Sequence, residues 1–270
     1  MSDAPEELVA RVGSAGVKVP TRGNRRLERF LKAANADREL AARWYMQQLN
    51  AERLGMSDHS RVHIQIVANI ALRILRLAVK SGIETACVSD HGLSEHDAEV
   101  VVTGGALMHD TGMSIHRSDH EAYSLFIADR KLRELLDGIY AEPELTVLLS
   151  ETLHCIIGHR SRGEPFTLEA GVVRIADALD MAEGRTRIPV ERGDIGIHSI
   201  SAAAIDEVKI GQGSDRPIRF DIRMNNSAGI FQVDDLLARK IRGTPLEGHI
   251  EVVASVERDT EKRLLGEFRI

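Results

Sequence analysis

LMHDTGMSIHRSDHE, residues 107–121, carries three histidines and two aspartates in fifteen positions. Ionisable groups set into apolar helical sequence cost free energy unless something pairs them. The segment is therefore either a polar surface rich in histidine or the centre of a metal and catalytic site. His109 and Asp110 close the apolar run VVVTGGALM, residues 100–108. Adjacent helical residues point about 100° apart, so both side chains can serve one ion only if the helix ends there. Thr111-Gly112 is the predicted terminator.

Distant residues supply the context. In HSRVHIQIVANIALRILRLAVKSG, residues 59–82, His63 shares a stripe with Val67, Ile70, Ile74 and Leu77, the face predicted to enter the core. His59 lies one turn earlier on that stripe. His120 heads a stripe with Ser124 and Ile127, with His116 one turn before it. His159 ends the stripe of Leu145, Leu148, Leu149, Thr152 and Ile156. His154, five residues from His159, sits about 140° around the helix and cannot share its face. Asp177 lies in VVRIADALDMAEG, apolar on nearly every side, where an unpaired carboxylate is costly. Asp180, one turn on, is a second candidate, as a ligand or as the support of one. Histidines and acids thus fall on the apolar faces of several successive helices, and a metal cluster gives a bundle a reason to turn them inward. Nitrogen and oxygen ligands without cysteine suit Mn, Fe, Ni, Zn or Mg.

The order His63, His109-Asp110, Asp177 resembles the H…HD…D signature of the HD-domain metal-dependent phosphohydrolase superfamily. LMHDTGM is similar to its central motif and RIADALD to its closing one, and the likeness covers roughly residues 50–185. The resemblance implies an all-helical fold, hydrolysis of phosphate esters or anhydrides, and one metal held by His63, His109, Asp110 and Asp177. It favours His63 over His59 because Val67 supplies the hydrophobic residue four positions on. In two-metal members the HD aspartate bridges and further histidines hold a second ion. His120 in DHEAYS and His159 in IIGHRSRGEP resemble those histidines. The second histidine and the tyrosine of the family's HHE…G.GYP stretch are absent. Met113 stands where several hydrolytic branches carry lysine after HD-x-G. Arg117, Arg160 and Arg162, with Arg185 and Arg187 beyond them, are the candidates for the missing phosphate contact, since guanidinium suits phosphate oxygens. Asp110 is then the shared catalytic carboxylate, and His59, His116 or His154 the acid for the leaving oxygen.

The remainder of the chain sets bounds. At 270 residues it can bury a full core without disulfides or a structural metal. A net charge of −6 with no basic run argues against duplex nucleic acid, and 4% aromatic residues against a stacking surface for single strands. Cys87 and Cys155 are isolated thiols. MSDAPEELVARV is acidic and lacks the apolar core of a signal peptide. Apolar stretches are read as broken by charges before membrane-spanning length, so a cytoplasmic protein with no membrane partner is expected.

The pattern is helical from about residue 24 to 186, with helices expected near 118–137, 143–160 and 167–183. After Pro189 it changes. EVKIGQG, PIRFDIRM and HIEVVASVE alternate, and GIFQVDDLLARKIRG is helical. The expected fold is mainly α: a helical domain over 1–190, then a small α/β unit over 191–270 in strand-strand-helix-strand order, with the boundary in 187–196. Such a unit suits oligomerisation or ligand sensing. Asn225, Asn226, Ser227 and Gly229 precede its helix as a cap, or as an anion site.

The function expected is a metal-dependent phosphohydrolase acting on a nucleotide or similar small phosphoester, with one or two divalent ions. A metal-stabilised nucleotide sensor without turnover, and a di-iron oxygenase or lyase, are the alternatives.

Overall fold

The computed structural model describes residues 5–160, 163–181 and 201–256. Its helices are α1 (Glu6–Val12), α2 (Arg25–Ala36), α3 (Arg38–Arg53), α4 (Arg61–Lys80), α5 (Ala86–Ser89), α6 (Glu95–Met108), α7 (His120–Leu136), α8 (Glu144–Gly158) and α9 (Leu168–Leu179). Then follow β1 (Ile205–Gln212), β2 (Ile218–Met224), the short helix α10 (Ala238–Ile241) and β3 (Ile250–Val256). This is the expected helical domain with a small α/β unit. The boundary region 187–196 lies outside the described residues, as do Arg162, Arg185 and Arg187.

Local signals explain where the helices begin and end. The apolar repeat of residues 24–55 divides into two helices because the Asp37 carboxylate accepts the Leu40 N–H at 2.7 Å and restarts the chain as α3. Ser94 and Asp97 form the predicted cap of α6, with Asp97 accepting the Ser94 N–H at 3.1 Å. Gly82, in the left-handed region at φ 80°, follows α4.

α6 is the axis of the bundle. Every residue from Asp97 to Met108 is buried, and α2, α4, α8 and α9 pack around it. A helix apolar on all sides belongs at the centre. Its two glycines permit the approach of α8: a Cβ at Gly105 would stand 2.7 Å from Cys155 Cβ.

α4 packs on α6 and α9 and buries His63, Ile64, Val67, Ala68, Ala71, Leu72, Ile74, Leu75 and Ala78. Here the sequence reading needs correction, because α4 is long and apolar enough, by length and composition alone, to cross a membrane. Arg73 and Arg76 do not break it, since both fall on one side and Arg76 pairs with the buried Glu99 at 2.6 Å. The helix serves as a core element, its buried face carrying His63 into the bundle.

β1 pairs antiparallel with β2, and β2 parallel with β3. A parallel pair requires a crossover, and the helical segment ending in α10 provides it. Ile218, Phe220, Ile222 and Met224 alternate inward along β2 and join one continuous core with the helical domain. α10 lies against α9. The Asn226 side chain accepts the Ala228 N–H at 2.8 Å, capping a short 3₁₀ turn.

One buried polar group ties the far end of α6 to the bundle. Asp97, 2% exposed, accepts from Arg26 at 2.6 Å and from the Tyr140 hydroxyl at 2.8 Å. Burial raises its carboxyl, but hydrogen bonds from Ser94, Arg26 and Tyr140 outweigh that and hold it below the ordinary carboxylate range. Asp97→Ala is expected to cost about 3–5 kcal/mol in urea unfolding, because Arg26 and Tyr140 lose their shared acceptor. A depressed folded-state pKa stabilises the protein above the unfolded value of about 4. In the wild type this contribution should therefore fade as pH falls through and below that value, and the variant should lack that part of the acid sensitivity.

Candidate metal centre

α6 ends at Met108. His109 keeps helical angles, but Asp110 leaves them, at φ −103° and ψ 2°, and a 3₁₀ turn follows over Thr111–Ser114. The change of direction brings His109 Nε2 to 3.3 Å from Asp110 Oδ2, which a continuing helix would prevent. Ser124 secures the turn, donating to the His109 carbonyl at 2.7 Å and accepting the Gly112 N–H at 2.8 Å.

Asp110 has two faces. Its Oδ2 lies 3.6 Å from His63 Nε2 and 4.0 Å from His59 Nε2, while its Oδ1 lies 3.0 Å from His120 Nε2 and 3.7 Å from His159 Nε2. Asp177 Oδ1, on the last turn of α9, is 3.7 Å from His63 Nε2 and 3.9 Å from His109 Nε2. The ligand atoms of His63, His109 and Asp110 fall within 4.8 Å of one another, and so do those of Asp110, His120 and His159.

The five imidazoles are all anchored through Nδ1. His109 donates to the Ala106 carbonyl at 2.8 Å and His159 to Ile156 at 2.6 Å, each three residues back in the chain, while His120 Nδ1 meets the Arg117 carbonyl at 3.0 Å, Glu121 Oε2 at 3.1 Å and Arg117 Nη1 at 2.7 Å. For His109 and His159 those carbonyls belong to the last turn of a helix, which lacks intrahelical donors. His59 donates to the Ser57 carbonyl at 2.7 Å and His63 to Asp180 Oδ2 at 2.6 Å. A neutral imidazole that donates at Nδ1 presents a lone pair at Nε2. His63 and His109 bring their Nε2 atoms to 3.3 Å. Two acceptors so close repel unless a cation or proton stands between them. The buried histidine and carboxylate groups therefore fit a divalent metal, borderline to hard by their nitrogen and oxygen donors.

The charges agree. Burial raises the Asp110 carboxyl, but His109, His120 and His159 outweigh it and hold the group well below the carboxylate range, so Asp110 is anionic. Burial pushes the His159 imidazole down, against Asp110, favouring the neutral form that ligates. Burial acts likewise on His120, but Asp110 prevails and raises it.

Of the other candidates, His116 and His154 stand apart from the cluster, and Arg117 touches it at His120. His116 is exposed and its Nδ1 accepts the Ser118 N–H at 3.0 Å, outside the cluster. His154 stacks on Phe166 with ring centroids 3.8 Å apart and accepts its N–H at 3.2 Å. Arg117 is exposed, its Nη1 2.7 Å from His120 Nδ1, and the Arg160 side chain is exposed. Met113 is fully buried, its carbonyl accepting from Asn50 at 2.8 Å.

Sequence reasoning missed two supports. Gln47 donates to the His59 carbonyl at 2.8 Å and Gln48 accepts the His59 N–H at 2.9 Å, which fixes that loop. Lys240 of α10 reaches the cluster from the C-terminal unit, donating to the His159 carbonyl, with Nζ 3.5 Å from Asp177 Oδ2. LARKIRG reads as an ordinary amphipathic turn and gives no local sign of this.

Asp180 has a separable effect. It fixes the His63 ring rather than facing the cluster, so Asp180→Ala is expected to weaken Mn²⁺ binding about 10–100-fold by calorimetry, with helical content retained.

The HD domain family model matches residues 56–182. The chain is similar to a relative from Methanocaldococcus jannaschii, named Uncharacterized protein MJ1020, at 36% identity over 247 residues, which is 92% of this chain and 90% of the relative. No solved structure matches the chain.

Proposed function

The chain belongs to the HD-domain family, and from that membership we propose that it is a metal-dependent phosphohydrolase with two divalent ions, cleaving a phosphoester or phosphoanhydride of a nucleotide or similar small molecule. The division of Asp110 carries this reading: one oxygen turns to His63 and His109, the other to His120 and His159. His63, His109, Asp110 and Asp177 would hold one ion, and Asp110, His120 and His159 the other. Bound ions supply Lewis acidity, acidifying water and drawing charge from phosphoryl oxygens.

The protein's residues do the rest. Asp110, anionic and buried, keeps the two halves of the site in register. Asp177 closes the first half from α9. His59 belongs to neither group of ligand atoms, yet its Nε2 faces Asp110 from the rim of the cluster. With Nδ1–H fixed on Ser57, a protonated His59 has only its Nε2 proton to give, and we assign it as the acid for the leaving oxygen. His116 and His154 are turned elsewhere. Cys87 and Cys155 are free, buried thiols, which suits the cytoplasm.

Purified without chelator and supplied with Mn²⁺, the full chain should release phosphate or a nucleoside monophosphate from at least one member of a panel of nucleotides and small phosphoesters. A chelator should stop it. Bound metal with no release across the panel would instead indicate a sensor, and oxygen consumption by iron-loaded protein would indicate oxygenase chemistry.

A further inference from the structure

Lys240 brings to the cluster a cation from outside the helical domain. Position 113 is occupied by a buried methionine, Arg117 lies against His120, and the Arg160 side chain faces solvent. Lys240 comes instead from the crossover between β2 and β3. A π-helical turn over Gln232–Leu237 leads into α10, and such turns recur at functional sites. Arg174 on α9 holds the segment in place, donating through Nε to the Lys240 carbonyl at 3.0 Å and through Nη1 to the Gly158 carbonyl at 3.1 Å.

The ammonium sits beside both halves of the metal centre. It donates to the backbone of His159, in one half, and faces Asp177, in the other. An ammonium has three protons, and among the described residues these two contacts leave one. The Asp177 and Lys240 side chains are each 18% exposed, against 6% for Asp110, 5% for His120 and 4% for His159. Among these groups, the Asp177 and Lys240 side chains are the most exposed.

We infer that Lys240 is a substrate-binding residue, donated by the C-terminal unit, that contacts a non-bridging oxygen of the phosphoryl group at the metal centre. This rests on the phosphohydrolase reading of the same site and gives the C-terminal unit a direct part in it. A purely structural lysine, pinning α10 to α9, would make the same two contacts but would not respond to phosphate.

The test is calorimetric titration of the Mn²⁺-loaded full chain with inorganic phosphate, for wild type, Lys240→Met and Lys240→Arg, with metal content measured on each. A charge-assisted hydrogen bond contributes about 1.5–3 kcal/mol. Lys240→Met should therefore bind phosphate about 10–100-fold more weakly at unchanged metal content, and Lys240→Arg should recover most of the affinity. Wild-type phosphate affinity in Lys240→Met would overturn the inference and leave the phosphohydrolase reading standing. A loss of affinity matched by loss of metal, or not restored by arginine, would overturn it too and reduce Lys240 to a structural tie. Metal-loaded wild type that binds no phosphate would overturn both.

Discussion

Asp110→Ala is expected to strip metal from both halves of the centre and to lower phosphoester turnover by about 10³-fold or more, equivalent to at least about 4 kcal/mol of transition-state stabilisation. Among the described residues none should have so wide an effect, because of these Asp110 alone belongs to both groups of ligand atoms. Losing His120 or His159 would empty one half, whereas losing Asp110 removes the anion around which five imidazoles converge. Fold loss is not the expected cause. Among the described residues the Asp110 carboxylate caps no helix, and its neighbours are the histidines. Metal analysis alongside circular dichroism separates the outcomes: metal absent with helical content intact is expected. His109→Ala should behave similarly, though through the first half of the site.

Gly112→Ala should do comparable damage without touching a ligand. A Cβ at Gly112 would stand 2.0 Å from the His120 carbonyl oxygen and 2.6 Å from the Ser124 backbone nitrogen. Both are main-chain atoms of α7, so no side-chain rotation relieves the clash. The 3₁₀ turn and α7 must separate, and with them the Ser124 hydroxyl that bridges Gly112 and His109. We expect destabilisation of about 3 kcal/mol or more, read as a lower urea midpoint, since overpacking against backbone exceeds the usual core penalty. We also expect weaker metal binding in the half that holds His120. The control is Gly138→Ala: its Cβ would meet nothing nearer than an Arg29 nitrogen at 3.8 Å. There only the positive φ of 67° opposes the change, so its cost should be smaller and metal binding unaltered.

The metal centre was legible in the sequence wherever a ligand lay on a helix whose apolar stripe could be traced. The stripes turned His63, His120, His159 and Asp177 inward and the offset of one turn drew attention to Asp180, while the resemblance to the HD family singled out the first four as ligand candidates. His109 and Asp110 required the helix to end beside them, and it ends at Met108, ahead of the predicted terminator Thr111-Gly112, which lies in the 3₁₀ turn that follows. What sequence patterns could not show was tertiary. The Nδ1 anchoring of His109 and His159 depends on carbonyls exposed at helix ends. The solvent-facing direction of His116 depends on the turn before α7. Lys240 belongs to another unit, and nothing in LARKIRG marks the neighbour it meets across the fold. The strands announced themselves by alternation, but the parallel pairing of β2 with β3 depends on a crossover whose path no periodicity encodes.

The central claim is a pair of ion sites joined by one carboxylate, and Mn²⁺ titration of metal-free protein followed by electron paramagnetic resonance tests it most directly. Two equivalents should bind, one for each group of ligand atoms sharing Asp110. At saturation the spectrum should show exchange coupling between the ions, and both the second equivalent and the coupling should vanish in His120→Ala. A single uncoupled Mn²⁺ signal at saturation, or no binding at all, would contradict the account.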